Sequence, residues 1–190
     1  MWVFLVTEIM FFGGLFLAYA VARFLHPEAF AEASHHLNVA LGGINTAVLI
    51  ASSLTMALAV HAAQVGQRRA LMGFLTLTAA LGCVFLLIKG IEYADKFQHH
   101  LVPGSAFSFA GPEARPAELF FSLYFAMTGL HALHMVIGVG VVVVLLVRAW
   151  KGRYSVQYHI PIEVAGLYWH FVDIIWIFLF PLLYLIDIHH

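Results

Sequence analysis

Residues Met1–Arg23 read MWVFLVTEIMFFGGLFLAYAVAR, with Glu8 as the one charged side chain between the two ends. About twenty apolar residues are enough for an α-helix to cross the hydrocarbon core of a bilayer. This stretch is therefore predicted to be a transmembrane helix. A carboxyl group is costly in hydrocarbon, so we expect Glu8 to face protein rather than lipid. Two roles stay open for it: a proton-handling or regulatory carboxyl, and a hydrogen-bonded carboxyl that joins two helices.

The composition of the whole chain indicates an integral membrane protein. Of its 190 residues, 63% are hydrophobic and 10% are charged, and the mean hydropathy is +0.93. A soluble domain of this size cannot bury so much apolar surface. The formal net charge of −1 does not indicate a nucleic acid or an acidic ligand as partner. The lone Cys83 excludes a disulfide scaffold and an iron–sulfur site built by this chain alone, and we expect it to be a small buried hydrophobe.

The hydrophobic pattern predicts an all-α fold with five transmembrane helices in a single domain, residues 1–190. The predicted spans are about residues 2–24, 41–60, 71–93, 117–147 and 163–185. Pro27 ends the first span, because the residue before a proline avoids the helical region. A polar link follows at residues 28–38. The longest link, residues 94–116, is rich in Gly, Pro and Ser, and we expect irregular surface structure there.

The basic residues of the links predict the orientation of the chain. The links after the second and fourth spans are short, and they lie on the same side as the N-terminus. Basic residues in short links favour the cytoplasmic side of a membrane. These two links carry Arg68, Arg69, Arg148, Lys151 and Arg153. The N-terminus is therefore predicted to be cytoplasmic and the C-terminus to lie outside.

Two patterns on the middle spans concern helix packing. Small residues recur every four positions along the second span and allow close approach of another helix, either within the chain or in a partner subunit. They are Gly43, Ala47, Ala51, Thr55, Ala59 and Ala63. On the third span, Lys89 and Glu92 are three residues apart. We interpret them as an ion pair at the membrane interface whose long side chains reach toward the headgroups. Glu92 is also a candidate for a polar contact between helices, together with His131, His134, His170 and Asp173.

Further polar residues lie on the last two spans. His131 and His134 are predicted to share one face of the fourth span, and His170 and Asp173 one face of the fifth. At 1.5 Å per residue, they and Glu8 fall in the middle or the cytoplasmic half of the bundle. We expect a single hydrogen-bonded network that joins the first, fourth and fifth spans. Two histidines on one helix face fit a haem site poorly, so no metal or cofactor site is expected in this chain.

Five motifs resemble subunit III of the haem–copper cytochrome c oxidases, in order and in spacing. They are TEIMFFGGLF (Thr7–Phe16), NTAVLIASS (Asn45–Ser53), KGIEY (Lys89–Tyr93), FFSLYFAMTGLHALHMVIG (Phe120–Gly138) and YWHFVDIIWIFLFPLLY (Tyr168–Tyr184). The resemblance covers essentially the whole chain. The fuller family form has seven helices in two groups divided by a lipid-filled cleft. This chain resembles the last five, as shorter bacterial versions do.

The resemblance implies a subunit without a redox centre in a bacterial cell membrane. It implies direct packing against subunit I, which holds the haems and copper, with subunit II and other subunits in the same complex. It further implies support of proton uptake and of sustained turnover in a proton-pumping oxidase that reduces oxygen to water, and bound phospholipid. Glu8 matches the intramembrane glutamate of the family, Glu92 the glutamate of its EY element, and His170 and Asp173 its WHFVD pair.

Three other functions stay open on the sequence. The first is a close relative, either subunit III of a quinol oxidase or the accessory protein of a nitric-oxide reductase, so that the electron donor is cytochrome c or a quinol. The second is a stand-alone proton or small-ion transporter that uses Glu8 and the histidines. The third is a haem-carrying membrane anchor.

Overall fold

A computed structural model describes residues 2–35, 37–99, 101–104, 114–155 and 157–185. These ranges contain six α-helices and no named strand. The helices are α1 (Trp2–Leu25), α2 (Pro27–Ser34), α3 (Val39–Gln64), α4 (Arg68–Gln98), α5 (Ala114–Trp150) and α6 (Ile160–Tyr184). Five of them, all except α2, are long and apolar enough to cross a membrane. The prediction of an all-α, multi-pass membrane protein is confirmed.

The short helix α2 occupies part of the predicted polar link. Pro27 does end α1, but it also begins α2, because its fixed φ angle suits the first turn of a helix and its missing N–H is not needed there. The apolar side of α2 is buried, and the ring of Phe30 lies at 5.4 Å from Tyr19 and 5.3 Å from Phe120 between centroids. The sequence pattern missed this helix because it is only two turns long.

The structure extends several helices beyond their predicted ends. Helix α4 runs to Gln98, and α5 begins at Ala114, so both ends of the link predicted to be irregular are helical. The middle of that link, residues 105–113, lies outside the described residues. Hydropathy marks only the part of a helix that matches the hydrocarbon thickness, whereas the backbone hydrogen bonds of a long helix continue into the interface.

The bundle is built around α3, α4, α5 and α6, in which α3 packs on α4 and α6, and α5 packs on the same two helices. Trp169 of α6 fills the centre. Its ring lies over Gly82 of α4 and Gly138 of α5, and its indole N–H donates to Ser52 Oγ of α3 at 3.1 Å. A Cβ atom at Gly82 would lie 2.8 Å from the Trp169 ring. The two glycines therefore let this buried ring enter between α4 and α5.

Helix α1 lies at the edge of this bundle and packs mainly on α5. Its inner side buries Phe12 and Tyr19, and the Tyr19 hydroxyl donates to the carbonyl of Leu182 at 2.8 Å. The opposite side exposes large apolar side chains such as Met10 and Leu17. Cys83 of α4 is also exposed on the apolar surface, so the prediction that it is buried is wrong. Hydropathy alone does not separate a lipid-facing from a protein-facing apolar position.

The stripe of small residues on α3 is divided between two environments. Thr55, Ala59 and Ala63 are buried, and Thr55 Oγ1 lies 2.8 Å from Thr78 Oγ1 of α4. Ala47 and Ala51, nearer the N-terminal end of α3, are exposed. Only half of the stripe therefore packs against a helix of the same chain.

Candidate functional site

The first intramembrane polar contact joins α1 to α5. Glu8 Oε2 lies 3.2 Å from His134 Nε2, and the two side chains are 19% and 10% exposed. His134 Nδ1 lies 2.8 Å from the carbonyl oxygen of Leu130, which can only accept, so Nδ1 carries a hydrogen. Nε2 then holds a hydrogen only in the imidazolium form. A hydrogen bond between Nε2 and Glu8 Oε2 therefore needs a second proton, carried either by the imidazole or by the carboxyl group.

The second contact is a buried ionic cluster that joins α4, α5 and α6. Lys89 Nζ donates to Glu92 Oε2 at 2.9 Å, and the two side chains are 4% and 2% exposed. Glu92 Oε1 accepts from Tyr124 at 2.8 Å and from Tyr184. Lys89 also donates to Tyr184 at 2.6 Å. The expectation that these two side chains reach toward the headgroups is therefore wrong, whereas Glu92 does form the expected polar contact between helices.

Aromatic rings complete the surroundings of the ammonium group. Lys89 Nζ lies 4.6 Å from the ring centroid of Trp176, 5.1 Å from that of Tyr184 and 5.5 Å from that of Tyr124. A desolvated cation over an aromatic face is stabilised by the quadrupole of the ring. The cluster is thus a compensated charge pair inside the bundle, with hydrogen bonds that reach two further helices.

His131 is separate from both contacts. Its ring is fully buried, with its centroid 5.4 Å from that of Phe85 and 5.2 Å from that of Trp176. Neither ring nitrogen has a hydrogen-bond partner among the residues that the structure describes. His131 and His134 meet different partners although they are only about 60° apart around α5, since His131 lies against Phe85 and Trp176 and His134 against Glu8. His131 faces the interior of the bundle, whereas His134 faces α1.

His170 and Asp173 lie against α3. His170 Nδ1 is 2.6 Å from Ser53 Oγ. Asp173 is 3% exposed and lies beside the same Ser53. Ser53 is engaged with His170, and no described residue forms a hydrogen bond of good geometry with either carboxylate oxygen of Asp173. A cavity of about 300 Å³ adjoins these three side chains.

The expected single network across the first, fourth and fifth spans is therefore wrong. The predicted residues that form such contacts fall into three separate sets: Glu8 with His134, Glu92 with Lys89 and two tyrosines, and His170 with Ser53. Tyr124 and Tyr184 were missed by the sequence reasoning, although a tyrosine inside a transmembrane span signals a hydroxyl that needs a partner. Ser53 was missed because a serine can bond its own helix backbone and gives no distinctive pattern.

The fold and these polar contacts define the class of protein. The chain is a polytopic α-helical membrane protein whose helices are joined by isolated polar contacts inside an apolar bundle. Within the described ranges, no group of three or more His, Cys, Asp and Glu side chains is placed to hold a metal ion.

Comparison with known proteins gives the family. The family described as "Cytochrome c oxidase subunit III" matches residues 1–187. The chain is 34% identical to a cytochrome c oxidase subunit 3 of Corynebacterium diphtheriae over 97% of this chain and 85% of that relative. It is 36% identical to a protein of the same name from Synechocystis, over 96% of this chain and 72% of that relative. The chain belongs to the cytochrome c oxidase subunit III family.

A third relative extends the comparison to a longer protein. The cytochrome c oxidase subunit 3 of Pelomedusa subrufa is 33% identical over 95% of this chain but only 66% of its own length. Membership in the family confirms the resemblance stated from the motifs and is consistent with a place in an oxidase complex.

Proposed function

We propose that the chain is a non-catalytic subunit of a proton-pumping respiratory terminal oxidase that reduces oxygen to water. In this proposal the haems and copper lie in partner subunits, subunit I is the direct partner, and cytochrome c is the electron donor to the complex. The names of the relatives, all cytochrome c oxidase subunit 3, support this donor. The complex lies in a bacterial cell membrane, with the N-terminus of the chain cytoplasmic and its C-terminus outside.

The contact between Glu8 and His134 carries the proposed support of proton uptake. Glu8 is six residues from the start of α1, about 9 Å along the axis, which the proposed orientation places toward the cytoplasm. Glu8 Oε2 and His134 Nε2 are 3.2 Å apart, so a proton taken up by one group can pass to the other while the helices stay in place. The pair is more open than the Lys89–Glu92 pair, whose side chains are 4% and 2% exposed, since the side chains of Glu8 and His134 are 19% and 10% exposed.

Bound phospholipid is part of the same proposal. An apolar cavity of about 880 Å³ lies between α1, α5 and α6, and Phe4, Val144 and Tyr168 contribute to its walls. Arg148, at the end of α5, also lines it. An acyl chain suits the apolar walls, and the guanidinium suits a phosphate.

The test is affinity purification of the tagged chain from native membranes in mild detergent, followed by an optical spectrum and identification of the proteins that copurify. We expect haem absorption that travels with a copper-containing partner and disappears when this partner is removed. Oxygen consumption with reduced cytochrome c rather than with a quinol identifies the donor. A colourless chain that purifies alone and moves protons in liposomes would replace this proposal with the transporter.

The variant Glu8→Gln tests the role in proton uptake. It keeps the size of the side chain but cannot share the proton with His134. We expect normal assembly and haem content, with turnover lowered by less than about tenfold, because the reacting centre lies in another subunit. Glu28→Gln, on the exposed part of α2, is the matched control and is expected to behave like the parent. Loss of haem incorporation in Glu8→Gln would contradict the proposed role.

A further inference from the structure

A small cavity with a polar floor opens on the outer surface of the bundle, between α3 and α6. Ser53, His170 and Asp173 form its polar part, and its volume is about 300 Å³. Its rim includes Ile50, Ile174 and Ile177, which are exposed apolar side chains. The cavity is therefore a polar recess in a surface that otherwise faces the apolar part of the membrane.

Asp173 is the unsatisfied group of this recess. It is 97% buried, and both of its carboxylate oxygens lack a hydrogen-bond partner within the part of the chain that the structure describes. Ser53 lies beside Asp173 and its Oγ is 2.6 Å from His170 Nδ1, so its single hydroxyl hydrogen can serve one of these two partners at most. A buried polar group without a partner costs free energy, and more so in hydrocarbon, where water does not substitute. The two carboxyl oxygens of Asp173 therefore have at most one neighbouring hydroxyl hydrogen between them, and the recess can accept a further hydrogen-bond donor.

The depth of the recess limits what can supply this donor. Asp173 is thirteen residues from Ile160 and eleven from Tyr184, about 20 Å and 16 Å along α6. Ser53 lies equally deep in α3. The hydrocarbon core of a bilayer is about 30 Å thick, so a lipid headgroup does not reach this level. A side chain of another transmembrane helix does reach it.

We infer that the recess receives a nitrogen hydrogen-bond donor from a transmembrane helix of a partner oxidase subunit, with Asp173 as the acceptor. This inference rests on the proposed function, since it needs an oxidase partner. The donor is the side chain of an Arg, Lys, Asn or Gln, each of which complements a carboxyl group and fits the volume of the cavity. The surface around the recess suits a helix, because Ile50, Ile174 and Ile177 at its rim are exposed apolar side chains on which a partner helix can pack.

Two variants test the inference in the whole complex. Asp173→Asn keeps the size of the side chain and replaces one of the two acceptor oxygens with an amide nitrogen, which can only donate. Ile174→Trp places a large ring at the rim, where Ile174 is 51% exposed, and blocks the entrance without changing Asp173. Ile91→Trp, at a site on α4 that is 65% exposed, is the matched control. Each tagged variant is purified from native membranes, diluted in detergent, and assayed for the haem that remains bound per tagged chain.

We expect the apparent dissociation constant of the complex to rise about 3- to 20-fold in Asp173→Asn, the range for loss of one interhelical hydrogen bond in a membrane protein. Ile174→Trp should raise it at least as much, whereas Ile91→Trp should match the parent. Unchanged association in both site variants would overturn the inference. If Asp173→Asn fails to fold, as judged by circular dichroism, Ile174→Trp decides alone.

Photo-crosslinking identifies the occupant directly. Benzoylphenylalanine replaces Ile174 in the complex, and the adducts are identified by mass spectrometry after irradiation. An adduct with a transmembrane segment of an oxidase subunit that carries a nitrogen donor at this depth is the expected result. Adducts with lipid alone would overturn the inference. If the parent chain copurifies with haem and the variants do not weaken this association, the inference about the recess fails while the proposed function stands. If the parent carries no oxidase partner at all, the proposed function fails as well.

Discussion

The ionic cluster of α4 gives the sharpest prediction about stability. In Glu92→Gln the side chain keeps its shape, but the carboxylate that accepts from Lys89, Tyr124 and Tyr184 becomes a neutral amide. The ammonium of Lys89 then stays inside the bundle without an opposite charge. Its remaining neighbours are the Tyr184 hydroxyl at 2.6 Å and the face of Trp176 at 4.6 Å.

These contacts determine how much free energy of unfolding Glu92→Gln should lose. Removal of one partner of a buried ion pair costs about 3–5 kcal/mol, because the other charge is left uncompensated. The cation–π contact with Trp176 persists in the variant and places the expected loss at the lower end, about 3 kcal/mol. Lys89→Met should cost less than Glu92→Gln, because Glu92 keeps two tyrosine donors. The double variant removes both charges, so we expect it to be more stable than Glu92→Gln alone.

The assay is unfolding of the purified chain in detergent micelles by a titration with dodecyl sulfate, followed by far-ultraviolet circular dichroism. The free energies of the parent, the two single variants and the double variant form a double-mutant cycle. Glu28→Gln on the exposed part of α2 serves as the control for loss of a carboxylate. A loss below about 1 kcal/mol in Glu92→Gln, the level of an exposed ion pair, would refute the reasoning. So would a double variant that loses the sum of the two single losses.

Two further predictions concern packing between helices and use the same unfolding assay. Gly82→Ala should lower the free energy of unfolding by about 1–3 kcal/mol, because the added Cβ would lie 2.8 Å from the buried ring of Trp169. Gly90→Ala is the control and should be neutral or stabilising, because a Cβ there would have no neighbouring atom within 4 Å. Equal effects of the two changes would show that the Trp169 ring moves to make room for the methyl group. Thr55→Val should cost about 0.6 kcal/mol, the mean for an interhelical hydrogen bond in a membrane, because it breaks the bond to Thr78. The same change made in a Thr78→Val background should then cost less, and an undiminished cost would exclude the bond as the cause.

The sequence determined the membrane class and the number of spans. Hydrocarbon offers no hydrogen bonds to the backbone, so each long apolar stretch must form a helix, and this requirement acts within each stretch separately. Proline and the polar links located most of the ends for the same local reason. The motifs also identified the family, because their residues and spacing are properties of the chain and do not depend on how the helices pack.

The tertiary structure decided which polar groups meet. Lys89 and Glu92 are three residues apart in any helix, but only the packing of α5 and α6 brings Tyr124 and Tyr184 onto the carboxylate and turns a predicted interfacial pair into a buried one. His131 and His134 were assigned one face from spacing alone. Helix periodicity gives the angle between two side chains but not the helix that each one contacts. Only the folded bundle shows that His131 packs against Trp176 in the interior while His134 contacts Glu8.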